Sequence, residues 1–371
     1  MLVRRLVFVS LFAVAVALIP FRLCAGEADD WYRGDDKTQA ELARSLEETI
    51  ARPLARHDFP TGSRVLDGEW LFATYMMAAM GFGQLALEHP DQRAHQVTLM
   101  HRCIAKLVSS PVRAFDHEAW GSDPLQLEGD DDHGSYLGYL NLVLSLDRLL
   151  ALDSEYAPLN ERITTVLAAR LEKSPSLLLE SYHHSVFPVD NAAVIASIAL
   201  HDRAVGTRQH ALLVERFCAR LRRDWRDSRT SLLRQTMPRG APRGSGTALA
   251  AYFLGWADAA LSQELLAAMK RELYGAPLGF GAMREYPAGW RGRGDADSGP
   301  LIAGYSVSAT GFALGAARMN GDSELFAHLY ATVRLIGAPV AGRDGTRHFA
   351  GGGSVGNAIM FAMLTAPRRG P

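Results

Sequence analysis

Six short runs of chemically unusual residues recur along this 371-residue chain. The first is Asp67-Gly68-Glu69-Trp70. The second, from Gly129 to Tyr136, holds Asp130, Asp131 and Asp132 in a row, followed by His133. The third joins Tyr182-His183-His184 to Phe187-Pro188-Val189-Asp190-Asn191, and the fourth is Arg243-Gly244-Ser245-Gly246-Thr247. The fifth is Asp295-Ala296-Asp297-Ser298-Gly299-Pro300, with Arg284-Glu285-Tyr286 and Trp290 shortly before it. The sixth is Gly351-Gly352-Gly353-Ser354-Val355-Gly356-Asn357. Carboxylates acting in pairs can protonate a leaving oxygen while the second activates water or attacks directly. On that chemistry Asp297 and Asp190 are the leading catalytic candidates and Asp132 is a third carboxylate. His133 and Tyr286 are the proton-transfer candidates. Glu69, Trp70, Asp131, Tyr136, Tyr182, His183, Asn191, Arg284, Trp290 and Asp295 share these runs and are candidates to hold a substrate.

Each run also has a plainer reading. Asp, Asn, Ser and Thr ahead of a helix cap it, and Pro is favoured in its first turn. Asp190 and Asp297-Ser298-Gly299-Pro300 both fit that role. A cap needs only one polar residue, however, and three consecutive aspartates with a histidine exceed that need. Helix N-termini also carry partial positive charge and unpaired N–H groups, which hold nearby carboxylates ionised. A general acid therefore needs a drier place, such as beside Trp70 or Trp290.

The elements that position these runs are helical. Apolar periodicity near 3.6 residues, broken by Gly/Pro/Asp clusters, predicts twelve helices. They cover 37–55, 68–87, 91–108, 133–152, 156–172, 189–204, 207–224, 245–257, 260–274, 299–319, 322–337 and 354–365. The links after even-numbered helices are two or three residues, such as Val205-Gly206 and Asn320-Gly321, whereas odd-numbered helices are followed by long loops. Short links make antiparallel neighbours, and long loops in compact domains usually carry function. Six long loops, each leading into an even helix, predict an all-α (α/α)6 toroid with its functional loops at one mouth. The stretch 299–319 is rich in small residues and nearly free of charge, as an inner helix would be, while 207–224 carries charges suited to an outer ring.

The N-terminus reads as an export signal. Arg4 and Arg5 precede the apolar run Leu6 to Phe21, and Leu23-Cys24-Ala25-Gly26 offers a small-residue cleavage site after Ala25. The apolar run falls short of the roughly 20 residues that span a bilayer. The expected layout is a signal peptide over 1–25 and one toroid domain over 26–371, in the periplasm or outside the cell, with no stable membrane span once the signal is cleaved. Removing 1–25 takes away three arginines and no acid, moving the formal charge from −1 to −4. Such a balance gives no basic patch for nucleic acid. Cys103 and Cys218 fall inside predicted helices and read as buried thiols, with a disulfide left open. No metal motif, phosphate loop or dinucleotide fingerprint is present, so no cofactor is implied. Oligomeric state is not readable.

In architecture the chain resembles the six-hairpin glycosidase-like superfamily over its whole mature length. That resemblance implies a sugar-binding funnel lined by acids and aromatics at inner-helix entrances. Among its members, the unsaturated glucuronyl hydrolases use an aspartate acid/base at such a position, which Asp190 or Asp297 would match. Trp70, Trp120 and Trp290 would then stack against sugar rings. The chain also resembles linalool dehydratase/isomerase, which implies roles for Asp132, His133, Tyr136 and Tyr182. The cysteine pair of that family's cleft has no counterpart here, because Cys103 and Cys218 lie in predicted outer helices. The leading expectation is an exported glycoside hydrolase or lyase acting on a small-molecule or oligosaccharide substrate. The alternatives are a hydro-lyase on an apolar alcohol and a non-catalytic glycan-binding or envelope protein. Convergence of Asp132, Asp190 and Asp297 on one pocket would separate the first from the others.

Overall fold

The computed structural model describes residues 19–368. The greater part of the expected signal peptide, residues 1–18, lies outside the described residues. Residues 19–25 are helical and end at a turn over Gly26 and Glu27, so the expected cleavage point falls at a break between helices.

Helices α1 (Ala28–Arg33) and α2 (Asp36–Ala51) open the fold. They are followed by α3 (Arg64–Glu88), α4 (Arg93–Leu107), α5 (Ser110–Trp120), α6 (Gly134–Leu150) and α7 (Ala157–Lys173). Next come α8 (Pro188–Ala204), α9 (Ala211–Arg220), α10 (Gly244–Leu254) and α11 (Ala259–Glu272). The last three are α12 (Val307–Met319), α13 (Ser323–Gly337) and α14 (Gly353–Leu364). Local chemistry starts several of them. Asp35, Ser63, Asp258, Ser306 and Asp322 each accept a backbone N–H in the first turn of the helix that follows, and α8 begins at Pro188.

The inner ring closes. Helix α3 packs on α6, α6 on α8, α8 on α10, α10 on α12, α12 on α14, and α14 returns to α3. Outer helices α4, α7, α9, α11 and α13 each pack on the inner helix just before them, and α2 covers α3 and α14. Every residue of α10 but Leu249 is buried, and α6 buries Leu137, Leu140 and Leu144, each contributing about 1.5–3 kcal/mol. Small residues let the inner helices approach closely. A methyl group on Gly138 would stand 2.6 Å from Val194, and one on Gly315 would stand 2.7 Å from Met363. Helix α3 is long and apolar enough to cross a membrane by length and composition, yet it is largely buried inside the ring.

The predicted all-α toroid is thus observed, with local differences. The helix expected over 299–319 starts only at Val307. Before it, Leu301–Ile302 pairs with Tyr305–Ser306 across Ala303 and Gly304, both at positive φ. Two further hairpins, Tyr274–Gly275 with Ala282–Met283 and Pro339–Ala341 with Arg347–Phe349, occupy other long loops. The loop expected over 109–132 contains α5. The helix expected over 207–224 starts at Ala211 and ends in a π-helical turn, Leu221–Trp225. Cys103 and Cys218 are buried, unbridged thiols.

Candidate active site

Three carboxylates from three different inner-helix entrances lie close enough to act on one another's charge. Glu69 sits in the second turn of α3, Asp190 is the third residue of α8, and Asp297 lies on the loop before α12. Glu69 is half-buried. Dehydration within the funnel, then repulsion from Asp190 and from Asp297, pushes its pKa up to about 8, with Tyr182 pulling the other way. Asp190 is buried, and burial pushes it to about 6 although hydroxyls of Ser181 and Tyr139 stabilise its charge. The Tyr139 hydroxyl donates to Asp190 Oδ1 at 2.7 Å. Solvent reaches Asp297, but the surrounding walls and then Asp295 still raise its pKa. Gln235 Nε2 donates to Asp297 Oδ2 at 3.3 Å. The Ser181 and Tyr182 hydroxyls are buried beside these acids without a hydrogen bond of normal geometry among the described residues.

Next to this group stands a second acidic cluster with a cation at its centre. Arg243 Nε donates to Glu285 Oε1 at 2.6 Å, while Nη1 and Nη2 grip both oxygens of Asp295 at 2.7 and 2.8 Å. Glu285 is fully buried and also accepts from the Ser245 hydroxyl at 2.7 Å. Arg243 lies 5.7 Å from the centre of the Tyr286 ring, whose hydroxyl donates to the Arg293 carbonyl at 3.4 Å. The clamp fixes the loop that carries Asp297.

The aspartate-rich second run is tied up in loop contacts. Asp132 accepts the Glu180 backbone N–H at 2.8 Å, so its carboxylate holds one loop to another. His133 is buried and adopts φ 47°. Its Nδ1 meets Asp116 Oδ2 at 2.5 Å and its Nε2 meets Ser122 Oγ at 3.1 Å. Ser122 in turn donates to Asp131 at 2.5 Å. These contacts hold Asp132 and His133 in loop architecture, while Asp116, which grips His133, is one of the charges that raise Glu69 and Tyr182. Tyr286 likewise stands beside the Arg243 clamp rather than among the three converging carboxylates.

Several candidate binding residues are also structural anchors. Tyr136 is buried and donates to the Leu107 carbonyl at 2.9 Å. Asn191 is buried, accepting the Leu179 N–H at 2.7 Å and donating to the Leu179 and Phe187 carbonyls. Arg284 lies over the Tyr305 ring at 4.6 Å, and His183 packs 4.3 Å from Trp120. Trp70 is half-buried against the core, whereas Trp290 is 37% exposed and remains available for stacking. Sequence reasoning assigned Glu69 to binding rather than to the acid role its environment supports. It also passed over Tyr139, Ser181, Gln235, Arg243 and Glu285. Of these, Ser181, Arg243 and Glu285 lay in or directly beside the recognised runs.

No protein-family model matches this sequence, and no curated protein matches it either. Solved structures do. One is a selenomethionine derivative of the GH76 α-mannanase BT2949 of Bacteroides thetaiotaomicron, at TM-score 0.50 and 10% identity. That match covers 80% of this chain and 84% of the mannanase chain. Another is the polysaccharide lyase BACCELL_00875, at TM-score 0.40 and 14% identity, covering 89% of this chain and 100% of that one. At such low identity the likeness to the mannanase is one of fold. What the two share is the helical toroid.

Proposed function

We propose that the chain is an exported carbohydrate-active enzyme, a glycoside hydrolase or lyase, whose acid and base are Glu69 and Asp190, with Asp297 as the third carboxylate. The observation that supports this is the convergence of three carboxylates, none in an ion pair among the described residues, from three inner-helix entrances. At neutral pH, Glu69 near 8 keeps its proton and Asp190 near 6 has lost its own. Two carboxyl groups pushed apart in this way make an acid–base pair. Glu69 donates its proton to the leaving glycosidic oxygen, and Asp190 activates water, attacks the sugar carbon, or removes a ring proton in the lyase case. The hydroxyls of Ser181 and Tyr182, beside Asp190 and Glu69, orient those carboxyl groups, and Trp290 supplies a stacking face.

A structurally similar protein is described as an α-mannanase, which is in keeping with a glycan substrate. The expected trio of Asp132, Asp190 and Asp297 is incomplete, because Asp132 holds the Glu180 backbone, and the coupling of Glu69 with Asp190 and Asp297 supports the carbohydrate reading in its place. Export rests on the leader-like N-terminus, and residues 26–371 would act as one toroid unit. Turnover of α-mannan and of uronic-acid-containing polysaccharides by wild type, Glu69→Gln and Asp190→Asn tests the assignment. Lost turnover with retained glycan binding is the expected result. Ultraviolet absorbance of an unsaturated product separates lyase from hydrolase. Unchanged turnover in both variants overturns the proposed roles.

A further inference from the structure

Besides the three carboxylates, four side chains form one hydrogen-bonded line. Asp116 Oδ2 meets His133 Nδ1 at 2.5 Å, and His133 Nε2 meets Ser122 Oγ at 3.1 Å. Ser122 Oγ also donates to Asp131 Oδ2 at 2.5 Å. Burial is graded along the line. Asp116 and His133 are 0% and 2% exposed, whereas solvent reaches Ser122 and Asp131. A buried carboxylate, a buried imidazole and an accessible hydroxyl in this order are the parts of a serine nucleophile, its base and the acid that orients the base. Asp116 comes from α5, Ser122 from the loop just after it, and His133 from the turn into α6. His133 holds φ 47°, a backbone conformation that a non-glycine residue keeps only where its surroundings over-determine it.

A pocket of about 390 Å³ adjoins this line. Trp120 and Asp131 connect the two. The Trp120 ring stands 4.9 Å from that of His133, Asp131 accepts from Ser122, and both residues line the pocket. The Trp120 indole N–H is buried without a hydrogen-bond partner among the described residues, which leaves one donor free. The wall is otherwise mainly polar, with Ser174 and Glu180 on it, and its aliphatic part is Leu178 and Val186.

We propose that Ser122, His133 and Asp116 form a second catalytic site, an esterase that removes short acyl groups, of about acetyl size, from the hydroxyls of a sugar. Ser122 Oγ adds to the ester carbonyl carbon, and its proton passes to His133 Nε2. The bond from that carbon to the sugar oxygen then breaks, and the sugar oxygen takes the proton from His133. Water repeats the sequence on the acyl-serine, releasing the carboxylic acid and restoring the hydroxyl. The free Trp120 N–H is a donor for the carbonyl oxygen as it gains charge. Asp131 holds the hydroxyl while no ester is bound. Asp116 is a positioning residue, fixing the His133 ring with Nε2 facing Ser122. A mainly polar wall suits the hydroxyls of a sugar, and two aliphatic side chains offer little to a long acyl chain.

Diisopropyl fluorophosphate, which phosphorylates activated serines with loss of fluoride, should label the full chain at Ser122, read by peptide mass spectrometry. Acetate release from glucose pentaacetate should accompany it and be lost in Ser122→Ala. His133→Gln should slow both reactions about 10²- to 10⁴-fold, the range for losing a general base. Asp131→Asn should keep or raise both rates, because it turns the hydroxyl toward His133. Asp116→Asn should slow both, and Asp116→Glu should recover part of the loss. A packing role for Asp116 predicts the reverse order, since Asn keeps its shape and Glu does not. Labelling of other residues with Ser122 unmodified overturns the proposal, as does an Asp131→Asn variant as slow as His133→Gln. Acetate release lost in Glu69→Gln but kept in Ser122→Ala would move the ester chemistry to the three carboxylates and also overturn it.

Discussion

Asp295 and Asp297 lie two residues apart on one loop, yet their environments drive them in opposite directions. Burial would raise Asp295, but the two bonds from Arg243 outweigh it and hold the carboxyl below its usual range. Asp297 has no such partner; its surroundings and the charge of Asp295 raise its pKa. The same contrast separates two glutamates. Glu285 is buried against Arg243 and Ser245, whereas Glu69 faces Asp190 and Asp297 and is pushed to about 8. Acids gathered around a cation hold the loop, and acids gathered around one another hold a proton that can be given away.

The largest expected effect tests the unpaired side of this contrast. Glu69→Gln should lower turnover about 10²- to 10⁴-fold, the usual range for losing a general acid. Its far-ultraviolet circular dichroism should match wild type, since Gln keeps the side chain's shape. In wild type the pH–rate profile should be bell-shaped, rising through about 6 as Asp190 ionises and falling through about 8 as Glu69 loses its proton. Because the two acids interact, those limbs belong to the pair. Asp190→Asn should remove the acidic limb. A profile that keeps both limbs in either variant breaks the assignment.

The paired side is tested by breaking the clamp. Arg243→Met leaves Glu285 buried without its cation and should destabilise the fold by about 3–5 kcal/mol, read as a lower urea midpoint. Arg243→Met with Glu285→Gln should recover part of that loss, since the uncompensated charge is gone. If the single variant is as stable as wild type, the clamp does not hold the loop.

The two sides should also differ in the sign of their pH dependence. Folded Glu69 keeps its proton to about 8, against about 4.5 unfolded, so its contribution to stability falls as pH rises between those values. Glu69→Gln should therefore gain on wild type across that window. Asp295 is lowered, so its stabilisation is present at neutral pH and fades as pH falls through its folded value. Asp295→Asn should lag wild type at neutral pH and draw level in acid. Urea midpoints of the three proteins across pH read both trends, and parallel curves would erase the distinction.

Much of the fold was legible because it is written in local signals. The alternation of short and long links identified inner and outer helices, and Ser63, Asp258 and Asp322 mark their starts. The hairpin at Leu301–Ser306 escaped because its apolar residues also suit a helix, and two positive-φ residues, Ala303 and Gly304, decide the matter. The site was legible in its residues and less so in its roles. Asp297 is close enough to raise Asp190, but three adjacent aspartates drew attention to a loop whose Asp131 and Asp132 bond to Ser122 and to the Glu180 backbone. Glu69 could not be singled out as an acid, because its raised pKa depends on Asp190 and Asp297, which are remote in sequence.

The smallest expected effect concerns a position with no charge at all. Gly356 lies in α14, where an added methyl meets open space and the backbone is ordinarily helical. Alanine there restricts the unfolded chain and removes the cost of a helical glycine, so Gly356→Ala should stabilise the fold by about 0.4–1 kcal/mol. Gly138→Ala should do the reverse, since its methyl would press to 2.6 Å from Val194 at the α6–α8 contact. Thermal melts of the two variants compare a glycine required by packing with one that packing leaves free. Equal destabilisation in both would mean that α14 needs Gly356 for its own structure.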